Sequence, residues 1–155
     1  MRKYFPVPIL LFLLGLTITY AVLTMPSEGY VEANVFELEG NIVIVGYDCK
    51  AIVAETSPER ALSIQLGIEG KIDGRPTTHD TFVEVLKSYN ITLESVRFTK
   101  YQDEFYYSDL IFNNGKKILE LDAMPSDALA LAVRLDAPIY INKTLLNEVG
   151  LDICQ

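Results

Sequence analysis

The sequence predicts an α+β fold: a mixed, largely antiparallel β-sheet with about three to four helices, preceded by one transmembrane helix. Three observations predict it. Short β-branched runs recur with turn residues between them. Helix starts carry hydroxyl caps and proline. One uncharged run of 21 residues opens the chain. With 155 residues the chain is long enough for one domain with a core and too short for two ordinary ones.

The uncharged run is Phe5 to Met25. As a helix it would span roughly 31 Å, about the thickness of a hydrocarbon core. Pro6 and Pro8 fall in its first turn, where a missing amide hydrogen does little harm. Pro26-Ser27-Glu28-Gly29 ends it. Arg2 and Lys3 precede the run, and Glu28, Glu32, Glu37 and Glu39 follow it. Positive charge stays inside, so residues 1–4 are expected in the cytoplasm and the domain outside, as a single-pass membrane protein. Residues 5–25 are then a signal-anchor, 26–30 a linker and 31–155 the folded domain. The competing reading is a cleaved signal peptide and a secreted domain, with Thr19-Tyr20-Ala21 as a small-x-small site. Asn90-Ile91-Thr92 and Asn142-Lys143-Thr144 are glycosylation sequons, which fits an outside location.

Val31 to Leu38 and Asn41 to Tyr47 read as a hairpin around Glu39-Gly40, and Ala51 to Glu55 as a further strand. Thr56-Ser57-Pro58-Glu59 opens a helix, with Thr56 and Glu59 spaced as a capping box. Ala61, Ile64, Gln65 and Ile68 share one face of it, and Gly67 and Gly70 mark its end. Thr77-Thr78-His79-Asp80 opens a second helix whose apolar face is Phe82, Val83, Leu86 and Tyr89. Two strands follow, through Val96, Phe98 and Lys100 and through Tyr106 to Phe112. Asn113-Asn114-Gly115 turns the chain into Ile118 to Ala123, because asparagine and glycine accept positive φ. Pro125-Ser126-Asp127 starts a third helix ending at Leu135. Pro138 to Ile141 is a strand, and Lys143 to Val149 a short closing helix.

The formal charge is −8. Without Arg2 and Lys3 the domain has 11 basic and 21 acidic residues, which places it near −10. Such a domain repels nucleic acid at long range unless cations or a local basic patch intervene. Cys49 and Cys154 match no paired Cys-x-x-Cys zinc pattern. They are either two separate thiols or one disulfide, and the second fits an oxidising compartment.

Two clusters can carry chemistry. His79, the one histidine, sits beside Asp80 at a helix start, where it can move protons or bind a metal. A helix cap explains the same residues. Asp122, Ser126 and Asp127 surround a strand-to-helix turn that can hold a cation through carboxylates or an anion through free amides. Again a capped helix start is the structural explanation. Glu55, Glu59 and Arg60 form a third group, accounted for by an exposed ion pair.

Arg-Pro-Thr-Thr-His-Asp at 75–80, Phe105-Tyr106 after an acidic turn, Pro-Ser-Asp-Ala-Leu-Ala-Leu-Ala at 125–132 and Ala137-Pro138-Ile139 together carry a resemblance. The stretch from about Ile52 to Val149 resembles the bifunctional nuclease domain family. Met124 stands where the second signature segment of that family has arginine, and Arg60 near where it has glutamate. The resemblance implies a nuclease for DNA, RNA or both. With carboxylates abundant and a single histidine, it implies phosphodiester hydrolysis by water activated on Mg²⁺ or Mn²⁺. Asp80, Asp122 and Asp127 would face the metal. His79 would be base or orienter, with Asp80 and Asp127 the other catalytic groups. Arg75 and Ser126 would contact substrate. The implied partners are nucleic acid and, through residues 5–25, a membrane, with a homo-oligomer as a further arrangement. The alternative is a non-catalytic, membrane-anchored domain that binds a protein or small molecule, which the loss of arginine at Met124 favours.

Overall fold

The computed structural model describes residues 28–154, so the expected anchor at 5–25 lies outside the described residues. Among the described residues no helix is long and apolar enough to cross a membrane. The elements are β1 (Tyr30–Glu39), β2 (Ile42–Tyr47), β3 (Lys50–Glu55), α1 (Pro58–Ile68), α2 (Thr78–Ser88), β4 (Thr92–Gln102), β5 (Phe105–Asn113), β6 (Ile118–Ala123), α3 (Pro125–Leu135), β7 (Ile139–Asn142), α4 (Lys143–Val149) and β8 (Leu151–Asp152). Among the described residues, four helices and a mixed, largely antiparallel sheet make the fold α+β, as the sequence predicts for the domain.

The strands form one sheet in the order β6-β5-β4-β7-β1-β2-β3-β8. Strand β1 is its pivot. Tyr30 to Ala33 pair with β7, and the strand then passes to β2 from Asn34 onward, with an irregularity between Val35 and Glu37. The β4–β7 pairing is parallel and the others are antiparallel. A parallel neighbour needs a long crossover, and α3 lies within the connection that brings the chain from β6 to β7.

Helix α3 is the centre of the domain. Ala128, Leu129, Ala130, Leu131 and Ala132 are buried in succession, so the helix is covered all round rather than on one stripe. It packs on α1 and α2 and against β4 and β5. The alanines let these neighbours approach. Phe98, Ile64, Ile141, Val45 and Val96 complete the buried core around it.

Three local details depart from the sequence pattern. The cap of α1 is Ser57, whose hydroxyl accepts from the Arg60 amide at 3.4 Å, not Thr56 one residue earlier. The buried face of α1 is Ala61, Ser63, Ile64 and Gly67, while Ile68 and Leu62 are half exposed. Helix α3 sets this face: a Cβ at Gly67 would lie 2.5 Å from Val133 Cγ2 and 2.7 Å from Arg134 Nη1, so any larger residue would push these α3 side chains aside. Strand β8 was not predicted, because two residues carry no readable period. It pairs with β3 through Lys50–Asp152 and Ala51–Leu151.

Cys49 and Cys154 are joined in a disulfide that brackets this last strand pair, across a sequence separation of 105. The loop it closes contains nearly all of the domain. Breaking it with Cys154→Ser should lower stability by about 2–4 kcal/mol, chiefly by freeing the unfolded chain. Urea denaturation of the oxidised, reduced and substituted protein measures this. Coincident curves for all three would remove the bridge from the stability account.

Candidate active site

The two signature segments expected to carry chemistry each form the first turn of a helix. In α2 the N-cap is Thr77, and His79 and Asp80 follow in the first turn. In α3 the N-cap is Met124, followed by Pro125, Ser126 and Asp127. Asp80 and Asp127 therefore hold the same helical position, three residues after the cap, with different fates.

Thr77 can cap, so Asp80 is drawn into a capping box. Its Oδ2 accepts from the Thr77 amide at 2.7 Å and from the Thr77 hydroxyl at 2.8 Å. Its Oδ1 accepts from Arg134 Nε at 2.7 Å. Burial alone would raise its pKa, but the Arg134 and Thr77 hydrogen bonds outweigh that and hold it at about 2, against an ordinary 3.8. Met124 has no capping side chain, so Asp127 has no such duty. Its carboxylate stays 41% exposed and faces the imidazole of His79, with Oδ1 3.6 Å from Nε2.

The imidazole is braced from behind. Nδ1 of His79 lies 2.9 Å from the Ser63 hydroxyl on α1, and Ser63 is buried. Only Nε2 is left for chemistry, and the ring is 19% exposed. Burial lowers the His79 pKa below 6.5; Asp127 opposes this in part, and Arg134 reinforces it. The ring is therefore neutral at pH 7. A separation of 3.6 Å is too long for a good direct hydrogen bond but lets one water or hydroxyl touch both atoms.

Arg134 locks the three helices together beneath this pair. Besides Asp80, it donates from Nη1 to the carbonyls of Ser63 and Ala130, each at 2.8 Å. Its side chain is 7% exposed, and Nη2 has no partner among the described residues.

The remaining expected residues lie elsewhere. Arg75 is exposed in the turn before α2. Asp122 pairs in register with Asp109 at the end of β6. Asp122, Met124 and Ser126 line a cavity of about 490 Å³ that Phe105 and Tyr106 face from β5. The three carboxylates expected around a metal are thus not gathered. Asp80 spends both oxygens on Thr77 and Arg134. Among the described residues no group of three or more His, Cys, Asp or Glu side chains is placed to hold an ion.

The family model described as the bifunctional nuclease domain matches residues 47–153. The chain belongs to the bifunctional nuclease domain family. An uncharacterised protein of Mycobacterium tuberculosis is 35% identical over 91 residues, which cover 59% of this chain and 54% of that protein. Bifunctional nuclease 1 of Oryza sativa subsp. japonica is 31% identical over 84 residues, 52% of this chain and 25% of its own length. Bifunctional nuclease 1 of Arabidopsis thaliana is 31% identical over 84 residues, 52% of this chain and 26% of its length. The chain spans about half the length of the mycobacterial relative it matches and about a quarter of the plant ones.

Within this bifunctional nuclease domain, sequence reasoning missed Ser63 and Arg134. Both left a trace. Arg134 is the one charge inside the apolar run from Ala128 to Leu135, the mark of a buried and partnered cation. Ser63 and Gly67 are a small pair four residues apart on a helix, which marks a close helix contact.

Proposed function

We propose that the chain is a nuclease that hydrolyses phosphodiesters of DNA or RNA, with His79 and Asp127 as its proton-handling pair. The observation that carries this reading is the His79–Asp127 contact at two helix starts, with Nδ1 engaged by Ser63 and Nε2 open. Family membership and the plant relatives named bifunctional nuclease support it. In the working tautomer Nδ1–H donates to Ser63, and Nε2 accepts the proton of the water that attacks phosphorus. Asp127 then holds the imidazolium. Arg75, ahead of α2, and the Ser126 amide at the start of α3 would meet the negative phosphates; Pro125 has no N–H, and the Asp127 amide already donates to the Met124 carbonyl at 2.9 Å. Mg²⁺ or Mn²⁺, which one or two carboxylates beside substrate phosphates can hold, would offset the repulsion between those phosphates and an acidic domain.

The test is purified full-length chain with single-stranded DNA and RNA, in Mg²⁺, in Mn²⁺ and in chelator. Cleavage should rise with pH through a value below 6.5 and then level, because neutral His79 is the working form. No turnover under any of these conditions would end the reading. The second reading is a non-catalytic binding domain, favoured by Met124 on the wall of the cavity where the family signature carries arginine. It predicts ligand binding without turnover.

We also infer that the domain lies outside the cell membrane, anchored by residues 5–25. The Cys49–Cys154 bridge supports this, since such bridges persist in oxidising compartments. Protease added to intact cells should remove the domain, and protection until the membrane is opened would reverse the orientation.

A further inference from the structure

Proton transfer at His79 leaves the cavity beside Ser126 unused. At about 490 Å³ it falls within the roughly 300–1,000 Å³ of small-molecule sites. Its inner wall is apolar and fully buried: Val45, Ile52, Phe98 and Leu129. Phe105 and Tyr106 add aromatic faces near the mouth, and Phe105 is 67% exposed.

The charges on the lining restrict the ligand. Three carboxylates, Glu55, Glu104 and Asp122, face one cation, Arg60. Met124 adds an apolar surface where an arginine would have added a second cation. A phosphate inside would be repelled. A flat, neutral ring with N–H donors suits the site, because its face stacks on the aromatic side chains and its donors reach carboxylates.

Ser126, on the lining, is the chain neighbour of Asp127. A base seated in the cavity leaves its phosphate near the His79–Asp127 pair. We propose that the cavity is a nucleobase subsite that takes one unpaired, amino-bearing base of a single strand (cytosine, adenine or guanine) in preference to uracil or thymine. Carboxylates accept from an exocyclic amine. Uracil and thymine lack that amine, and two carbonyl oxygens flank their one ring N–H donor, so a carboxylate at that edge gains one bond and meets two acceptors. A base paired in a duplex cannot enter without leaving the stack. The inference deepens the nuclease reading and rests on it.

Binding of free cytidine and uridine to the full-length chain in detergent tests the subsite without any cleavage step. Cytidine should bind at least about tenfold more tightly than uridine, the scale of one well-made base contact. Phe105→Ala should weaken both, and at least one of Glu55→Gln, Glu104→Gln and Asp122→Asn should bring the ratio toward one, with melting temperatures confirming that each variant folds. Equal affinities, or no binding of either nucleoside while single strands are still cleaved, would overturn the subsite and leave the nuclease standing. Selective cytidine binding with no cleavage in any metal would support the subsite and end the nuclease reading instead.

Discussion

His79→Gln should lower the rate of phosphodiester cleavage by about 10²–10⁴-fold, the usual contribution of a positioned general base. Glutamine can still hydrogen-bond Ser63, so the cost in stability should stay below about 1 kcal/mol, one hydrogen bond's worth. The two numbers separate a catalytic role from a structural one. A glutamine amide cannot take a proton at neutral pH, so the pH-dependent rise seen in the parent should disappear. Asp127→Asn keeps the shape of the site and removes the charge that would steady the imidazolium. It should cost about tenfold, or about 1.4 kcal/mol of barrier. Ser63→Ala should leave a working enzyme with a displaced pH profile, because Ser63 acts only through the ring. Single-turnover cleavage across pH 5–8 for the parent and these three variants measures all of this. A His79→Gln protein that cleaves at the parental rate would remove His79 from the chemistry, whatever the protein's substrate.

The hairpins and capped helices were legible in the sequence because their causes are local. Glu39-Gly40 sits at the turn between β1 and β2, and Thr77 caps α2 within the helix start read at 77–80, in a capping box with Asp80 that the structure shows. The same local signal left the site ambiguous. A hydroxyl and a carboxylate three residues apart describe a helix start whether or not the carboxylate does chemistry. The structure separates the two aspartates by what precedes them: Thr77 engages Asp80, and Met124 leaves Asp127 free. That contrast was present in the sequence as the identity of the N-cap. The pairing of His79 with Asp127 and Ser63 was not, since it depends on three helices meeting. Nor could spacing show that Asp122 lies along β6 beside Asp109 rather than with Asp80.

Arg134→Met should destabilise the domain by about 3–5 kcal/mol, the cost of leaving one partner of a buried ion pair alone. Asp80 would lose its charged partner, and the carbonyls of Ser63 and Ala130 would each lose a donor. Arg134→Lys should recover little, because a single ammonium cannot serve three acceptors held in a planar fork. Adding Asp80→Asn to Arg134→Met should restore part of the loss by removing the stranded charge. The same pair predicts a pH dependence. The folded pKa of Asp80 is about 2, below the ordinary 3.8, so the native state binds its proton less readily than the unfolded chain. The stabilisation is complete above about pH 4 to 5 and is lost as pH falls toward 2. Urea denaturation of the parent should therefore show stability dropping over that window, and Asp80→Asn should flatten this part of the drop. Equal slopes in parent and variant would mean that Asp80 is not held by Arg134 in solution, and the platform under His79 would then need another explanation.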